Sequence, residues 1–224
     1  MIFIHGAGLN ASVWTPQMHT FPDAHFPTLE RTHTNPPSVH DFTVSMASYI
    51  QAHGIEAPIL VGHSLGGGIA LDFALSYPHM IRGLILICAS PVFQVPREFL
   101  EMILSDFDGF IQTIISLGFH PRAPDSAKKA CAHAMKTVGA QDVYHDYLCA
   151  NTFDIQDCIK EITAPTLILA AAEDGMIPME ISTFLSEQIK DSCLKIIPGS
   201  GHMVILEQPA LVNTEITSFI DQLE

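Results

Sequence analysis

Short runs of apolar residues alternate along the chain with longer amphipathic segments. The runs are rich in Ile, Leu or Val and are flanked by Gly or Pro, which is typical of strands buried on both faces of a sheet. They cover residues 2–5, 59–62, 83–89, 166–171 and 194–197. The amphipathic segments predict helices over residues 42–53, 65–76, 180–190 and 210–223. This alternation predicts an α/β fold with a mainly parallel sheet flanked by helices.

The stretch between Pro91 and Thr163 breaks this alternation, because its apolar residues have helical spacing and form no convincing strand. A plain set of core helices would explain the pattern. We favour a helical cap inserted into the sheet and covering an active site, because the stretch falls between two predicted strands. The predicted domains are a core of residues 1–90 and 164–224 and a helical cap of residues 91–163.

Composition narrows the class of function. A chain of 224 residues, 48% of them apolar, can bury the core of a globular domain. Its net charge of −14 argues against nucleic acid and anionic membrane as partners, since phosphate binding needs clustered Lys and Arg. The apolar runs are too short or too interrupted to span a bilayer, and the N-terminus does not read as a signal peptide.

The five cysteines are scattered and odd in number, which indicates free thiols in a reducing compartment. We therefore expect a cytoplasmic protein. No pair of cysteines has the spacing of metal ligands, and we expect neither a metal nor another cofactor.

Residues 62–66 read Gly-His-Ser-Leu-Gly, which is a G-x-S-x-G motif. The motif alone is a weak signal, but here it lies directly between a predicted strand and a predicted helix. A serine at such a turn is strained, needs small neighbours, and lies at a helix N-terminus whose dipole favours negative charge. We predict that Ser64 is a nucleophile, with a plain glycine turn as the alternative.

A serine hydroxyl needs a base, and strand–serine–helix folds of this kind place an acid and then a histidine later in the chain. His202 follows the last predicted strand within Gly-Ser-Gly-His-Met and is the predicted general base. Asp174 follows the preceding strand and is the predicted acid that orients the imidazole. Glu173 is the alternative acid.

An oxyanion hole would complete this chemistry. The backbone N–H of Leu65 is one predicted donor, because it directly follows the nucleophile. The other is the N–H of Ala7, in the His-Gly-Ala-Gly segment after the first predicted strand, where glycines let the backbone approach a substrate oxygen. We interpret His5 as a structural hydrogen-bonding residue, and His63 as a packing residue that points away from Ser64.

Taken together, these segments resemble the α/β-hydrolase superfamily over nearly the whole chain outside the cap. Within it, the chain looks most like the small capped carboxylesterases, including the pimeloyl-carrier-protein methyl ester esterase group. The resemblance implies an α/β-hydrolase fold with Ser-His-Asp chemistry. It is carried by residues 5–8 with Asn10 and Trp14, residues 62–67, Asp174 with Pro178, and residues 201–203 followed by residues 207–209.

Two departures from that family stand at the start of the chain. Members usually have two strands before the His-Gly strand, whereas this chain begins in it, so we expect a sheet without them. Residues 24–29 should then form a short, covered edge, in a monomer or weak dimer. The usual glycine-rich loop is replaced by residues 31–37, which changes one wall of the pocket.

The predicted cap carries many large apolar side chains, several of which must pack on the sheet or line a pocket above Ser64. Such a pocket favours short acyl chains in a small cap. The predicted function is a carboxylesterase that cleaves small esters through an acyl-enzyme. The alternatives are another Ser-His-Asp hydrolase, acting on a carbon–carbon, thioester or amide bond, and a ligand receptor of the same fold. The predicted pocket residues are Trp14, Phe93, Phe99, Met102, Phe107, Phe110 and Met203.

A small-molecule ester is the expected partner. Six of the ten basic residues also fall in the predicted cap, three of them in residues 126–138. A solvated helix face explains them, and a landing surface for an acidic acyl carrier protein is the alternative.

Overall fold

The computed structural model describes residues 1–31 and 37–223. Its sheet has five parallel strands in the order β1-β2-β3-β4-β5. The α/β fold with a parallel sheet is therefore confirmed. The strands are β1 (Ile2–Ile4), β2 (Ile59–His63), β3 (Gly83–Ile87), β4 (Thr166–Ala171) and β5 (Ser192–Ile197).

Helices cover both faces of the sheet because alternate strand residues point to opposite sides. Val61 packs in a cluster with Ile216 of the C-terminal helix, whereas its neighbour Leu60 packs with Phe42 and Phe73 on the other face. The helices are α1 (Thr15–Thr20), α2 (Val39–Ala52), α3 (Leu65–Ser76), α4 (Arg97–Ser105), α5 (Phe107–Gly118), α6 (Asp125–Val138), α7 (Ala140–Asn151), α8 (Met179–Gln188), α9 (Val204–Glu207) and α10 (Pro209–Leu223). In the described part of the chain, none of them combines the length and the apolar character that crossing a bilayer would require.

One edge of the sheet differs from the sequence expectation, whereas the other is short, as expected. Strand β5 is half exposed and not buried on both faces, and Ile196 is 53% accessible to solvent. The apolar residues of a strand do not reveal whether it lies at the edge of the sheet, with a neighbouring strand on one side only. At the opposite edge, the segment predicted over residues 24–29 forms one bridge, in which His25 pairs with Ile2. Residues 32–36 belong to the loop that replaces the family's glycine-rich loop, and they lie outside the described residues.

Helices α4 to α7 and a short 3-10 helix (Gln156–Glu161) occupy the chain between β3 and β4. Their inner side chains, such as Ile103 and Phe110, belong to the same apolar cluster as Phe3 and Ile85 of the sheet. The cap segment therefore shares the apolar core that covers one face of the sheet. Its division from the core as a separate domain stays a prediction.

All five cysteines carry free thiols, as the sequence predicted. Burial raises the pKa of the Cys131 thiol to about 12. Because the thiolate is the reactive form, this buried thiol is chemically quiet at neutral pH.

Candidate active site

Ser64 lies in a sharp turn between β2 and α3. Its backbone has φ 54° and ψ −120°, a region that a side chain other than glycine rarely adopts. Its N–H donates to the carbonyl of Ile87 (3.0 Å), which ties the turn to the neighbouring strand. A Cβ atom at Gly66 would overlap the carbonyl oxygen of Ile4, and one at Gly62 would overlap that of Gly66. The two glycines of the motif are thus required by close backbone packing.

The loops after β4 and β5 bring an acid and a histidine together. Asp174 Oδ2 and His202 Nδ1 are 2.8 Å apart, and both side chains are almost completely buried. Asp174 Oδ1 accepts from the backbone N–H groups of Met176 (2.8 Å) and Ile177 (2.9 Å). Burial alone would raise the pKa of Asp174, but His202 and the two amides outweigh it and lower the pKa below its usual value. Asp174 is therefore held as a carboxylate that fixes the orientation of the imidazole.

Glu173, the alternative acid, has a different contact. Its carboxylate accepts from the backbone N–H of Ser200 (3.0 Å), and its own N–H donates to the Ser200 carbonyl (3.0 Å). Glu173 therefore joins the loop of the acid to the loop of the histidine. The residue that contacts His202 is Asp174.

His63 does more than the sequence interpretation allowed. It is fully buried and lines the same cavity as Ser64, and its Nε2–H donates to the backbone carbonyl of His202 (2.9 Å). Burial, with the charge of His202 as a second cause, lowers the pKa of His63 to about 3, so the ring is neutral. The expectation that His63 only packs was wrong, because a neighbour in the sequence does not reveal which distant loop folds over it. That its ring points away from Ser64 stays a prediction.

The first β-strand leads into a loop that faces Ser64. A Cβ atom at Gly6 would lie only 3.1 Å from Ser64 Cβ, so a glycine is needed for this approach. His5 Nδ1–H donates to the Gly6 carbonyl (2.9 Å), while its Nε2 accepts from the Leu29 N–H (3.0 Å). Ala7, which follows Gly6 in the chain, lines the cavity beside Ser64.

Leu65 lines the same cavity and is the first residue of α3. The N–H groups in the first turn of a helix have no acceptor within that helix and point outward from its end. The Leu65 amide therefore has no acceptor within its own helix, and the assignment of Ala7 and Leu65 as oxyanion donors stays a prediction.

A cavity of about 520 Å³ joins these residues, with Ser64 and His202 in its lining. Three of the seven predicted pocket residues, Phe93, Phe99 and Met203, line it. The other four, Trp14, Met102, Phe107 and Phe110, are outside its lining.

Those four side chains pack against protein instead. Trp14 is fully buried and meets the ring of Phe3 edge-on at 5.2 Å. Phe110 is also fully buried, edge-on to Tyr147 at 5.2 Å, while Met102 and Phe107 are half-buried against the same cluster. Helical spacing identifies the apolar face of a helix, but it does not tell whether that face meets another helix or an open cavity.

Several lining residues were not predicted. Cys131 and Met135 of α6 and Tyr147 of α7 contribute from the cap, and Met176 and Ile177 contribute from the loop of the acid. The last two could have been predicted from the sequence, because they are an apolar pair in the loop that carries Asp174. The cap residues had none beyond helical periodicity.

Among the described residues, Cys88, Asp174 and His202 form the group of side chains whose ligand atoms could surround a metal ion, within 4.8 Å of one another. Burial and the nearby Asp174 raise the pKa of the Cys88 thiol well above its ordinary value. Two members of this group, Asp174 and His202, are already hydrogen-bonded to each other (2.8 Å).

Comparison with known proteins agrees with this geometry. The model of the alpha/beta hydrolase family matches residues 1–215. The chain belongs to this family. It is 24% identical over 248 residues to the pimeloyl-[acyl-carrier protein] methyl ester esterase of Yersinia enterocolitica, covering 99% of this chain and 93% of the relative.

Two further similarities come from a hydrolase and from a solved structure. The 2-hydroxy-6-oxo-2,4-heptadienoate hydrolase of Pseudomonas putida is 24% identical over 237 residues, covering 93% of this chain and 84% of the relative. The esterase EaEST from Exiguobacterium antarcticum superposes with a TM-score of 0.92 at 19% identity, over 98% of this chain and 91% of that one. At this identity the second similarity shows a shared fold.

Proposed function

We propose that this alpha/beta hydrolase is a serine carboxylesterase that cleaves small esters through an acyl-enzyme. The observation that carries the proposal is the 2.8 Å contact of Asp174 with His202, in one cavity with a serine on a strained turn. Nucleophile, base and orienting acid are the parts that acyl transfer requires. The similarity to an enzyme named as a methyl ester esterase supports ester substrates.

The reaction follows from these placements. His202 accepts the proton of Ser64 as the Ser64 oxygen attacks the ester carbonyl, and the carbonyl oxygen becomes an oxyanion. The N–H groups of Ala7 and Leu65 donate to that oxyanion. When the intermediate collapses, the bond to the alkoxy group breaks and His202 gives its proton to the departing alcohol. Water, deprotonated by His202, then attacks the acyl-enzyme. The bond between the acyl group and the Ser64 oxygen breaks, His202 returns the proton to Ser64, and the acid is released.

The size and the lining of the cavity support short, apolar acyl groups as substrates. Its volume of about 520 Å³ lies within the range of small-molecule sites, and its walls carry Phe93, Phe99 and Ile114. Each buried methylene contributes about 0.8 kcal/mol, so affinity rises with chain length until the space is filled.

The free thiols suit a reducing compartment such as the cytoplasm.

Assays with p-nitrophenyl acetate, butyrate, octanoate and palmitate test the proposal. We expect the highest kcat/KM at roughly two to six acyl carbons and no jump in rate when the substrate forms an interface. A maximum at palmitate would contradict the pocket argument. No turnover of any ester, with turnover of carbon–carbon or amide substrates, would replace the proposed reaction by another one on the same triad.

A further inference from the structure

A buried carboxylate of the cap reaches the loop that carries Ala7. Asp146 on α7 is fully shielded from solvent, and its Oδ2 accepts from the backbone N–H of Gly8 (2.9 Å). Arg31 binds the same carboxylate with two donors, Nε to Oδ1 (3.0 Å) and Nη2 to Oδ2 (2.7 Å). Nη2 also donates to the carbonyl of Leu9 (3.1 Å). One charged pair therefore holds two consecutive residues of the loop.

A gain in stability is a weak explanation of this arrangement. Removing two charges from water is costly, and hydrophobic replacements of a buried ion pair are often neutral or stabilising. Here the carboxylate accepts three hydrogen bonds, one of which comes from a backbone amide next to a predicted oxyanion donor. The position of the pair points to a role in the site.

Fixing Gly8 restricts Ala7. The peptide unit that contains the Ala7 N–H is held on one side, because its Gly6 oxygen accepts from His5 Nδ1–H (2.9 Å) and from the Leu9 N–H (3.3 Å). The following unit is held at the Gly8 N–H by Asp146. With both flanking peptide planes fixed, the backbone angles of Ala7 have little freedom.

Gly8 itself has φ +67°, which favours glycine, and Val143 of α7 packs closely against it. The loop thus meets the cap through a charge and an apolar contact. We propose that Asp146 is a positioning residue that aims the Ala7 N–H at the oxyanion, with Arg31 as its counter-charge and as the anchor of Leu9. This inference rests on the proposed function.

The expected kinetic effect follows from where an oxyanion hole acts. Its donors bind charge that develops in the transition state, so a misplaced donor lowers kcat and leaves KM nearly unchanged. Removing a donor outright costs about 10²–10³-fold in kcat. A loosened donor should cost about 10–100-fold on the same scale.

Two double variants separate positioning from packing and charge. Asp146→Asn with Arg31→Met removes the ion pair but keeps an oxygen for the Gly8 N–H. Asp146→Leu with Arg31→Met removes the ion pair and the acceptor. We expect the Leu variant to lose about 10–100-fold in kcat on p-nitrophenyl butyrate relative to the Asn variant, with KM within about threefold. Should the Leu variant not fold, Asp146→Ala with Arg31→Met takes its place.

Inhibition gives an independent readout. Trifluoroacetophenone forms a reversible tetrahedral adduct with a nucleophilic serine, and its Ki should rise in parallel with the loss of kcat/KM. Asp108→Asn, which breaks the exposed cap ion pair with Lys136 (2.7 Å), is the matched control and should change neither value. Equal kcat and equal Ki in the Asn and Leu variants would overturn the inference. Activity that survives Ser64→Ala would instead overturn the proposed function.

Discussion

The two walls of the cavity are built by different interactions. On the sheet side, the loops are held by hydrogen bonds to buried carboxylates. Asp174 takes two amides of its own loop, and Glu207 takes the Gly201 N–H (3.0 Å) together with the His120 N–H of the cap (2.9 Å). On the cap side, the wall is made of apolar groups such as Ile114 and Met135. Directional bonds fix atoms to within a fraction of an ångström, whereas apolar contacts are adaptable. Changes to the first wall should therefore alter kcat, and changes to the second should alter substrate choice.

The largest effect is expected at the nucleophile. Ser64→Ala should lower kcat on p-nitrophenyl butyrate by about 10⁶-fold, and His202→Ala by a similar factor, because the residues act as one unit. Ser90→Ala is the matched control, since Ser90 lines the same cavity and should retain activity within about tenfold. Initial rates measure the effect. Substantial turnover by the Ser64 variant would show that Ser64 is not the nucleophile.

The next effect concerns the acid. Asp174→Asn should lower kcat by about 10⁴-fold, because the amide no longer stabilises the required tautomer of His202. Glu173→Gln keeps an acceptor for the Ser200 N–H and should cost less than about tenfold. If the order of the two variants were reversed in steady-state assays, the acid would be misassigned.

Lowering the pH should reduce the stability of the fold through two buried histidines on the sheet side. Burial lowers the pKa of His5 to about 4 and that of His63 to about 3, against about 6.5 in the unfolded chain. Between these values the unfolded state binds protons that the folded state does not, so stability falls as the pH falls. Each histidine should reduce the free energy of unfolding by about 1.4 kcal/mol per pH unit, or about 2 kcal/mol at pH 5.

Urea unfolding from pH 7 to pH 5 measures this slope. His63→Gln keeps an N–H donor for the His202 carbonyl and removes one titrating group, so its loss of stability between pH 7 and pH 5 should be smaller by about 2 kcal/mol. Parallel slopes for this variant and the unchanged protein would show that His63 does not titrate as its burial requires.

The smallest effect belongs to the cap side. Phe99→Ala should open space for one or two further methylenes, each worth about fourfold, and so raise the ratio of octanoate to butyrate kcat/KM. Phe107→Ala is the control, because Phe107 is similarly half-buried but does not line the cavity. Identical ratios for the two variants would show that lining the cavity does not set acyl length.

The sequence alone determined the strands β1 to β4, the turn at Ser64 and the order of nucleophile, acid and base. These features depend on neighbours in the chain: an apolar run, a glycine two residues away, a loop after a strand. Because the carboxyl ends of parallel strands meet at one edge, placing Asp174 and His202 after successive strands was enough to bring them together.

Tertiary structure decided the rest. The contact of Asp146 with Gly8 joins residues 138 positions apart, and that of Glu207 with His120 joins residues 87 apart. Trp14 and Phe110 face protein while Phe99 faces the cavity, although all three are aromatic residues in apolar patterns. Local patterns state which residues avoid water, but which surfaces meet depends on how the helices pack, and packing is a property of the whole fold.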